Sequence, residues 1–335
     1  MPSKLIKKHP KLASAIGLSA LALLGLAGFY WGWFSGEPKY HGRSVTYWVN
    51  QIAFSKNYDT RRGPGAFFPG TLATDPALHS VLALRSNAVP TLVGELSSVS
   101  EISDNPSLVE SFYWLEQKEI PANRQFIGRA FDLHHPSKAA VGLVLIVLGN
   151  ENSGGIGTVL KAFARAPNDI TGTKYPALFI AVKAAYDGFP ERRKEITEGL
   201  QLALRNPDPN IRHMAILGTY AVPAGFELWK KDLIHLAIDP DERVSTYAIG
   251  TLARLRKGDP DVLEVLEQVV RNPRISDEQR TSVLRIIGSF GSDALPALPL
   301  LRQMRASPNF GLRSSSSWAI SEIENQAKLR GIPIR

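Results

Sequence analysis

Two adjacent histidines in the stretch FDLHHP are the residues whose type best suits metal binding. They are His134 and His135, and Asp132 precedes them. Adjacent side chains on a helix point to different sides, however, and the five other histidines show no ligand spacing. The pair is more typical of a helix end before Pro136, where histidine is favourable near the helix dipole. We predict no metal site.

Three further groups of residues resemble sites of catalysis only in part. The glycine-rich stretch GNENSGGIGTV at 149–159 has no predicted strand before it and lacks the lysine of a phosphate-binding loop, which predicts a turn between helices. The serines at 314–317 have no paired base, and they are predicted to lie on or beside a helix face. The carboxylates Glu191, Glu195 and Glu198 share a helix with basic residues, as on a solvated face. The sequence therefore predicts no catalytic or cofactor-binding residue, and no enzyme.

A loop at 57–75 carries the residues that best suit the binding of a partner. Arg61, Arg62, Phe67 and Phe68 lie there among three glycines and two prolines. Exposed aromatic rings flanked by arginines are typical of surfaces that dock a protein or lipid headgroups. The alternative is that both phenylalanines fold back over the open apolar face of the helices that follow.

The composition excludes several kinds of site. The 335 residues include no cysteine, so disulfides, thiolate metal sites and cysteine nucleophiles are absent. Half of the net charge of +8 comes from four lysines ahead of residue 12, and residues 37–335 carry 35 Lys and Arg against 31 Asp and Glu. This weak excess is spread out, so we predict no binding of nucleic acid.

An apolar run of 23 residues at 12–34 contains no charge. A helix of this length spans about 30 Å of hydrocarbon. Tyr30, Trp31 and Trp33 cluster at its far end, where aromatic rings sit at a membrane interface. The run is therefore predicted to be a transmembrane helix that acts as a signal anchor.

The lysines that precede this run set the predicted topology. By the positive-inside rule, residues 1–11 form a cytoplasmic tail, and the rest of the chain lies outside the cytoplasmic membrane as a single-pass protein. The alternative is a cleavable signal peptide, because small residues at 25–27 suit a signal peptidase. In that case the body is secreted or periplasmic.

The region 72–329 is predicted to be a succession of amphipathic helices with an internal repeat. Four helices are predicted to open at about Asp208, Asp241, Ser276 and Asn309. Equivalent positions in them lie 33, 35 and 33 residues apart, and spacings of 38 and 36 extend the series backwards. These positions are Arg212, Ser245, Arg280 and Arg313, preceded by Lys174 and Lys138. A period near 35 in a chain of helix pairs indicates stacked repeats.

A second comparison relates the two ends of this region. Residues 282–301 and 76–96 superpose at an offset of 206, which aligns Pro296 with Pro90. The shared pattern is a helix, a polar turn and a second helix with proline in its first turn.

These patterns resemble the HEAT repeat. Ile211-Arg212 followed by Ala215, and Val244 followed by Ala248, carry the resemblance together with the Asp-Pro or Asn-Pro before the helix. The resemblance implies an all-α fold, an α-solenoid of stacked helix hairpins in a right-handed superhelix over 72–329, with a tail at 330–335. The sequence departs from the pattern at Ser245 and between 98 and 136.

The stretch PKYHGRSVTYWV, between the apolar run and the repeats, also resembles a known segment. It is similar to the segment before the repeats in bacterial membrane-anchored HEAT proteins. The matching residues are Tyr40, Gly42, Arg43, Ser44 and Trp48. From its own residues, Ser44 is predicted to cap a helix whose apolar face holds Val45, Trp48, Val49 and Ile52. We predict a helix and loop over 35–71, a hinge at 37–42, and burial of Trp48.

The predicted function follows from the fold and from the absence of catalytic motifs. We expect a membrane-anchored scaffold that binds a protein or peptide on its solenoid surface, with the membrane contacted through 12–34. One alternative is an enzyme or accessory lyase built on HEAT-like repeats, which predicts clustered ionisable residues. The other is a binder of envelope polysaccharide or lipid surfaces, which predicts a row of aromatic residues. The sequence identifies neither the partner nor the oligomeric state.

Overall fold

A computed structural model describes residues 36–53, 74–97, 138–166, 174–255 and 258–333. These residues are all-α except for one two-stranded hairpin. Among them, no helix is long and apolar enough to cross a membrane, and the predicted span at 12–34 lies outside the described residues. The chain divides into two compact units, Met1–Ile196 and Thr197–Arg335.

The first unit opens with a small β-hairpin. Strand β1 (Lys39–Tyr40) pairs antiparallel with β2 (Arg43–Ser44). His41 and Gly42 form the turn, with φ of 50° and 73°. Positive φ at both central residues is typical of the tight turns that match strand twist. The prediction of a hinge at 37–42 was therefore wrong, because a turn of this kind ties residues 39–44 together.

Helix α1 (Val45–Ala53) follows the hairpin directly. Ser44 Oγ accepts a hydrogen bond from the Tyr47 backbone N–H at 3.2 Å, which confirms the predicted cap. Val45, Val49 and Ile52 are fully buried, as their spacing predicted. Trp48 is only half-buried, so the prediction of its burial was wrong. Its indole N–H donates to the Tyr40 carbonyl at 3.1 Å, which turns the ring toward the hairpin.

One apolar helix lies at the centre of the first unit. The helices after α1 are α2 (Pro76–Leu82), α3 (Val89–Ser97), α4 (Lys138–Leu148), α5 (Gly155–Arg165) and α6 (Lys174–Gly188). Every residue of α4 after Lys138 is buried, and α4 contacts each of the helices α1, α2, α3, α5 and α6 that the structure describes. An all-round apolar helix suits a position enclosed by others.

The second unit contains two alternating sets of helices. After α7 (Arg193–Leu204), the set predicted from the repeat comprises α8 (Pro209–Tyr220), α10 (Glu242–Leu255), α12 (Asp277–Ser289) and α14 (Phe310–Leu329). Between them lie α9 (Phe226–Leu236), α11 (Pro260–Arg271) and α13 (Leu298–Met304). Helix α8 packs on α10, α10 on α12, and α12 on α14.

The helices of the predicted set begin where the sequence indicated. The side chains of Asp208, Ser276 and Asn309 cap α8, α12 and α14 by accepting backbone N–H groups of the first turn. Asp241 Oδ1 accepts from the N–H groups of Arg243 and Val244 at the start of α10. Four predicted starts are thus confirmed, since capping depends on the local sequence.

A side-chain hydrogen bond joins each pair of neighbouring starts in this set. Arg243 Nη2 donates to Asn210 Oδ1 at 3.2 Å, Ser276 Oγ to Glu242 Oε1 at 3.2 Å, and Asn309 Nδ2 to Asp277 Oδ2 at 2.8 Å. The partners are 33, 34 and 32 residues apart. The N-termini of α8, α10, α12 and α14 therefore lie side by side.

The four aligned positions of the repeat share one role. Each is the fourth residue of its helix, and each donates a hydrogen bond to a carbonyl in the segment before that helix. The donors are Arg212, Ser245, Arg280 and Arg313. Ser245, where the pattern departs from arginine, reaches the Ala237 carbonyl at 2.7 Å. Lys138 and Lys174 are the first described residues of α4 and α6, so the backward extension stays a prediction.

The superposition of 76–96 on 282–301 holds in its apolar positions and fails in one detail. Ala88 and Leu92 are buried, as are the aligned Ala294 and Leu298. Pro90 lies in the first turn of α3 as predicted. Pro296 instead lies within the 3₁₀ helix Gly291–Ala297, and Pro299 occupies the first turn of α13. The prediction for Pro296 was wrong because 3₁₀ geometry continues up to α13.

Candidate partner-binding surface

The predicted partner-binding residues, Arg61, Arg62, Phe67 and Phe68, lie outside the described residues, as does the histidine pair. Their role stays a prediction. Within the described residues, no group of three or more His, Cys, Asp or Glu side chains is arranged to hold a metal ion.

The glycine-rich stretch forms a turn between α4 and α5, as predicted, and ion pairs hold it in place. Arg192 binds Glu151 at 2.5 Å and Glu195 at 3.0 Å, while Glu195 Oε1 accepts the Asn150 N–H at 2.9 Å. The hydrogen bond from Arg192 lowers the pKa of Glu151, and the same contact raises the pKa of Arg192. The stretch therefore has a structural role, since its polar groups are bound within the unit.

A second polar cluster joins the hairpin to α1 and α3. Glu37 Oε2 accepts the Thr46 N–H at 2.9 Å, at the N-terminus of α1, where a carboxylate is favoured. Helix α3 packs on α1 and carries Glu95. Burial, followed by repulsion from Glu37, raises the pKa of Glu95 to about 7. Glu95 therefore changes its charge near neutral pH, a property that the sequence analysis did not indicate.

In the second unit, the contact between α8 and α10 is built on a tyrosine and a glycine. A Cβ atom placed on Gly250 of α10 would lie 3.5 Å from the Tyr220 hydroxyl of α8. The guanidinium of Arg254, one turn further along α10, lies 5.2 Å from the centroid of the Tyr220 ring. Such a cation–π contact orders the arginine side chain while leaving its N–H groups available.

In the contact between α12 and α14, a glycine again meets an aromatic side chain, but here the glycine lies on the earlier helix. A Cβ on Gly288 of α12 would lie 2.7 Å from Cζ3 of Trp318 on α14, so the indole lies over this glycine. Trp318 is nevertheless 47% exposed. Arg285, one turn before Gly288, donates from Nε to Ser315 Oγ at 3.3 Å. Ser315 and Ser316 are buried here, which confirms the prediction for 314–317 that its serines lie at a helix face.

We call Tyr220, Arg254, Arg285 and Trp318 the arginine–aromatic face. They lie on four successive packed helices, five to nine residues after the aligned positions of the repeat. The sequence analysis did not single them out. One pattern in the sequence could have indicated this face. Eight residues after an aligned position lie Tyr220 in one helix and Gly288 in another, and five residues after an aligned position lie Gly250 and Trp318. In each neighbouring pair of helices, a glycine at one of these positions thus accompanies an aromatic residue at the other.

The charge on this face is not neutralised by neighbouring carboxylates. Seven other arginines of the second unit each pair with an acid: Arg205, Arg212, Arg243, Arg271, Arg280, Arg302 and Arg330. Among the described residues, no carboxylate forms an ion pair with Arg254 or Arg285. The face thus combines ordered guanidinium groups with half-exposed aromatic rings, residue types that are enriched in protein interfaces.

Comparison with known proteins adds no name to this arrangement: no protein-family model and no curated protein matches the chain.

Proposed function

We propose that this chain is a membrane-anchored scaffold built as a HEAT-like α-solenoid, which binds a protein or peptide partner outside the cytoplasmic membrane. Residues 12–34 anchor it, and the helical body from 72 to 329 supplies the binding surface. The scaffold role requires a long, ordered surface and no catalysis by the protein.

The observation that carries this proposal is the set of side-chain hydrogen bonds that join successive helix starts. The pairs Asn210–Arg243, Glu242–Ser276 and Asp277–Asn309 recur at almost one spacing, as expected of stacked repeats. Stacking of this kind places equivalent residues of neighbouring helices side by side. An extended partner can then contact several repeats at once, which suits recognition more than catalysis.

A crosslinked pull-down from membranes tests the binding role. The full chain is compared with a variant that lacks 57–75, the loop that holds Arg61, Arg62, Phe67 and Phe68. We expect the full chain to recover a specific protein, and the deletion to lose it if that loop docks the partner. Recovery of no specific protein by the full chain would contradict the scaffold role.

The topology needs a separate measurement, because it rests on the apolar run and its flanking lysines. Protease added to spheroplasts is expected to digest the helical body and to spare it in intact cells with a sealed envelope. Protection of the body in spheroplasts would contradict an exported scaffold. N-terminal sequencing of the mature protein separates an anchored chain from one cleaved near 25–27.

A further inference from the structure

The arginine–aromatic face contains two ordered arginines on neighbouring helices of the second unit. Arg254 and Arg285 hold ordered positions, one over the Tyr220 ring and one on Ser315 Oγ, without an ion pair to a carboxylate among the described residues. A guanidinium presents its donors in a planar fork that matches a carboxylate. Two such forks on successive helices, with the half-exposed Trp318 ring lying over the second of these helices, complement an anionic ligand that also has apolar side chains.

We infer that the arginine–aromatic face binds an acidic, extended peptide segment of the partner. The inference rests on the proposed scaffold function and specifies its surface and the chemistry of its ligand. The carboxylates of the segment bind Arg254 and Arg285, and an apolar side chain packs on the ring of Trp318.

The spacing of the face suits an extended chain. Packed helices lie about 8–10 Å apart. Arg254 is the thirteenth residue of α10 and Arg285 the ninth of α12, so a helical rise of about 6 Å adds to that distance and gives a backbone separation of roughly 11 Å. An extended peptide advances about 3.3 Å per residue, and side chains two or four positions apart point to the same side. Acidic residues at such spacings span about 7 to 13 Å, which brackets the separation of the two arginines.

A binding assay with the purified full chain tests this inference. The probe is a fluorescein-labelled twelve-residue peptide with glutamate at every second position and leucine, serine and glycine between. A peptide with glutamine in place of glutamate is the matched control. We expect the acidic peptide to bind with an affinity that falls as salt is raised, and the glutamine peptide to bind at least tenfold more weakly.

The variants separate this face from general positive charge. R254Q combined with R285Q is expected to weaken peptide binding at least tenfold, and Trp318→Ala to weaken it several-fold. R274Q combined with R305Q removes the same charge from two exposed arginines outside the face, with an expected change below twofold. Thermal unfolding of each variant shows whether it is folded. Equal losses in both double variants would overturn the inference.

Other anionic ligands are outcomes of the same assay. Vesicles with anionic headgroups and an acidic polysaccharide are measured beside the peptide. Tight binding to either one, with no binding of the acidic peptide, would overturn the inference. Failure of the scaffold proposal looks different: the membrane pull-down then recovers no specific protein, although the purified chain still binds the peptide through Arg254 and Arg285. If the pull-down instead succeeds equally with R254Q/R285Q, the scaffold stands and this face is not its docking site.

Discussion

Trp318 of α14 lies directly over Gly288 of α12, close enough that a Cβ on the glycine would be 2.7 Å from the indole. Tyr220 of α8 and Gly250 of α10 form the matching contact with the large residue on the earlier helix. In both pairs, a glycine lets an aromatic ring lie across the joint between two helices while one side stays open to solvent. The surface that we propose for partner binding is therefore built on packing that also stabilises the unit.

Gly288→Ala is expected to destabilise the second unit. Besides the indole, the new methyl would meet the Ala319 Cα at 2.8 Å, and backbone cannot yield as a flexible side chain does. Overpacking of this kind costs about 1–3 kcal/mol of unfolding free energy. Urea denaturation measures this loss of unfolding free energy.

Gly94→Ala is the control, because nothing lies within 4 Å of a Cβ placed at that position. Alanine there should stabilise α3 by about 0.5–1 kcal/mol. A neutral Gly288→Ala would contradict the close contact.

Arg212→Ala is expected to cost about 3 kcal/mol or more of unfolding free energy. Arg212 pairs at 2.8 Å with Asp239, whose side chain is only 6% exposed, so its loss leaves this carboxylate without its partner charge. Arg212 also donates to the carbonyls of Asn206 and Pro207. Arg205→Ala is the matched control, since Arg205 also pairs with an aspartate 27 residues later but is exposed. We expect no shift of its unfolding curve. Equal effects of the two substitutions would show that burial does not set the cost.

The hairpin region is expected to lose stability as the pH rises through about 7. The pKa of Glu95 is raised from its ordinary value of 4.5 to about 7, so the neutral carboxyl is favoured in the folded state. Its contribution is fully present below pH 4.5 and is lost as pH rises through 7. Hydrogen-exchange protection of the Thr46 amide, corrected for intrinsic pH dependence, should fall between pH 6 and pH 8.

Two variants test whether Glu95 is responsible for this pH dependence. Glu95→Gln should make the protection independent of pH in that range, because the amide cannot ionise. Glu151→Gln should keep the wild-type profile, since the pKa of Glu151 is lowered and it stays ionised there. A profile that persists in Glu95→Gln would assign the effect to another group.

Gly42→Ala is expected to loosen the hairpin. Gly42 has φ of 73°, and a side chain in the left-handed region costs about 1–2 kcal/mol. Trp48→Phe tests the contact between the hairpin and α1, because it removes the indole N–H that binds the Tyr40 carbonyl. Both should increase amide exchange in β1 and β2 while α12 and α14 keep their protection. Unchanged exchange in the hairpin would contradict its role as a fixed unit.

The sequence predicted local features well because they depend on neighbouring residues. The caps at Asp208, Ser276 and Asn309 and the cap at Ser44 are set by one side chain and the next turn of backbone. The spacing of the helix starts was predicted for a related reason: the fourth residue of each helix, an arginine or Ser245, donates a hydrogen bond to a carbonyl that precedes the helix.

Features that depend on how helices meet were not predicted. The hairpin at 39–44 contacts α1 through the Trp48 indole N–H, which donates to the Tyr40 carbonyl, and apolar spacing does not encode this contact. The elevated pKa of Glu95 depends first on its burial and then on repulsion from Glu37, which is far from it in sequence. The arginine–aromatic face likewise arises only when four helices pack side by side.

Photocrosslinking at two positions tests the scaffold role most directly. A photoreactive phenylalanine analogue replaces exposed Ser321, three residues after Trp318, or exposed Gln303 on α13 as the control. The full chain is irradiated in intact membranes, and adducts are identified by mass spectrometry. We predict a specific protein adduct from position 321, attached through an acidic segment of the partner, and none from position 303. The absence of a protein adduct at both positions would contradict a scaffold that binds a partner through this surface.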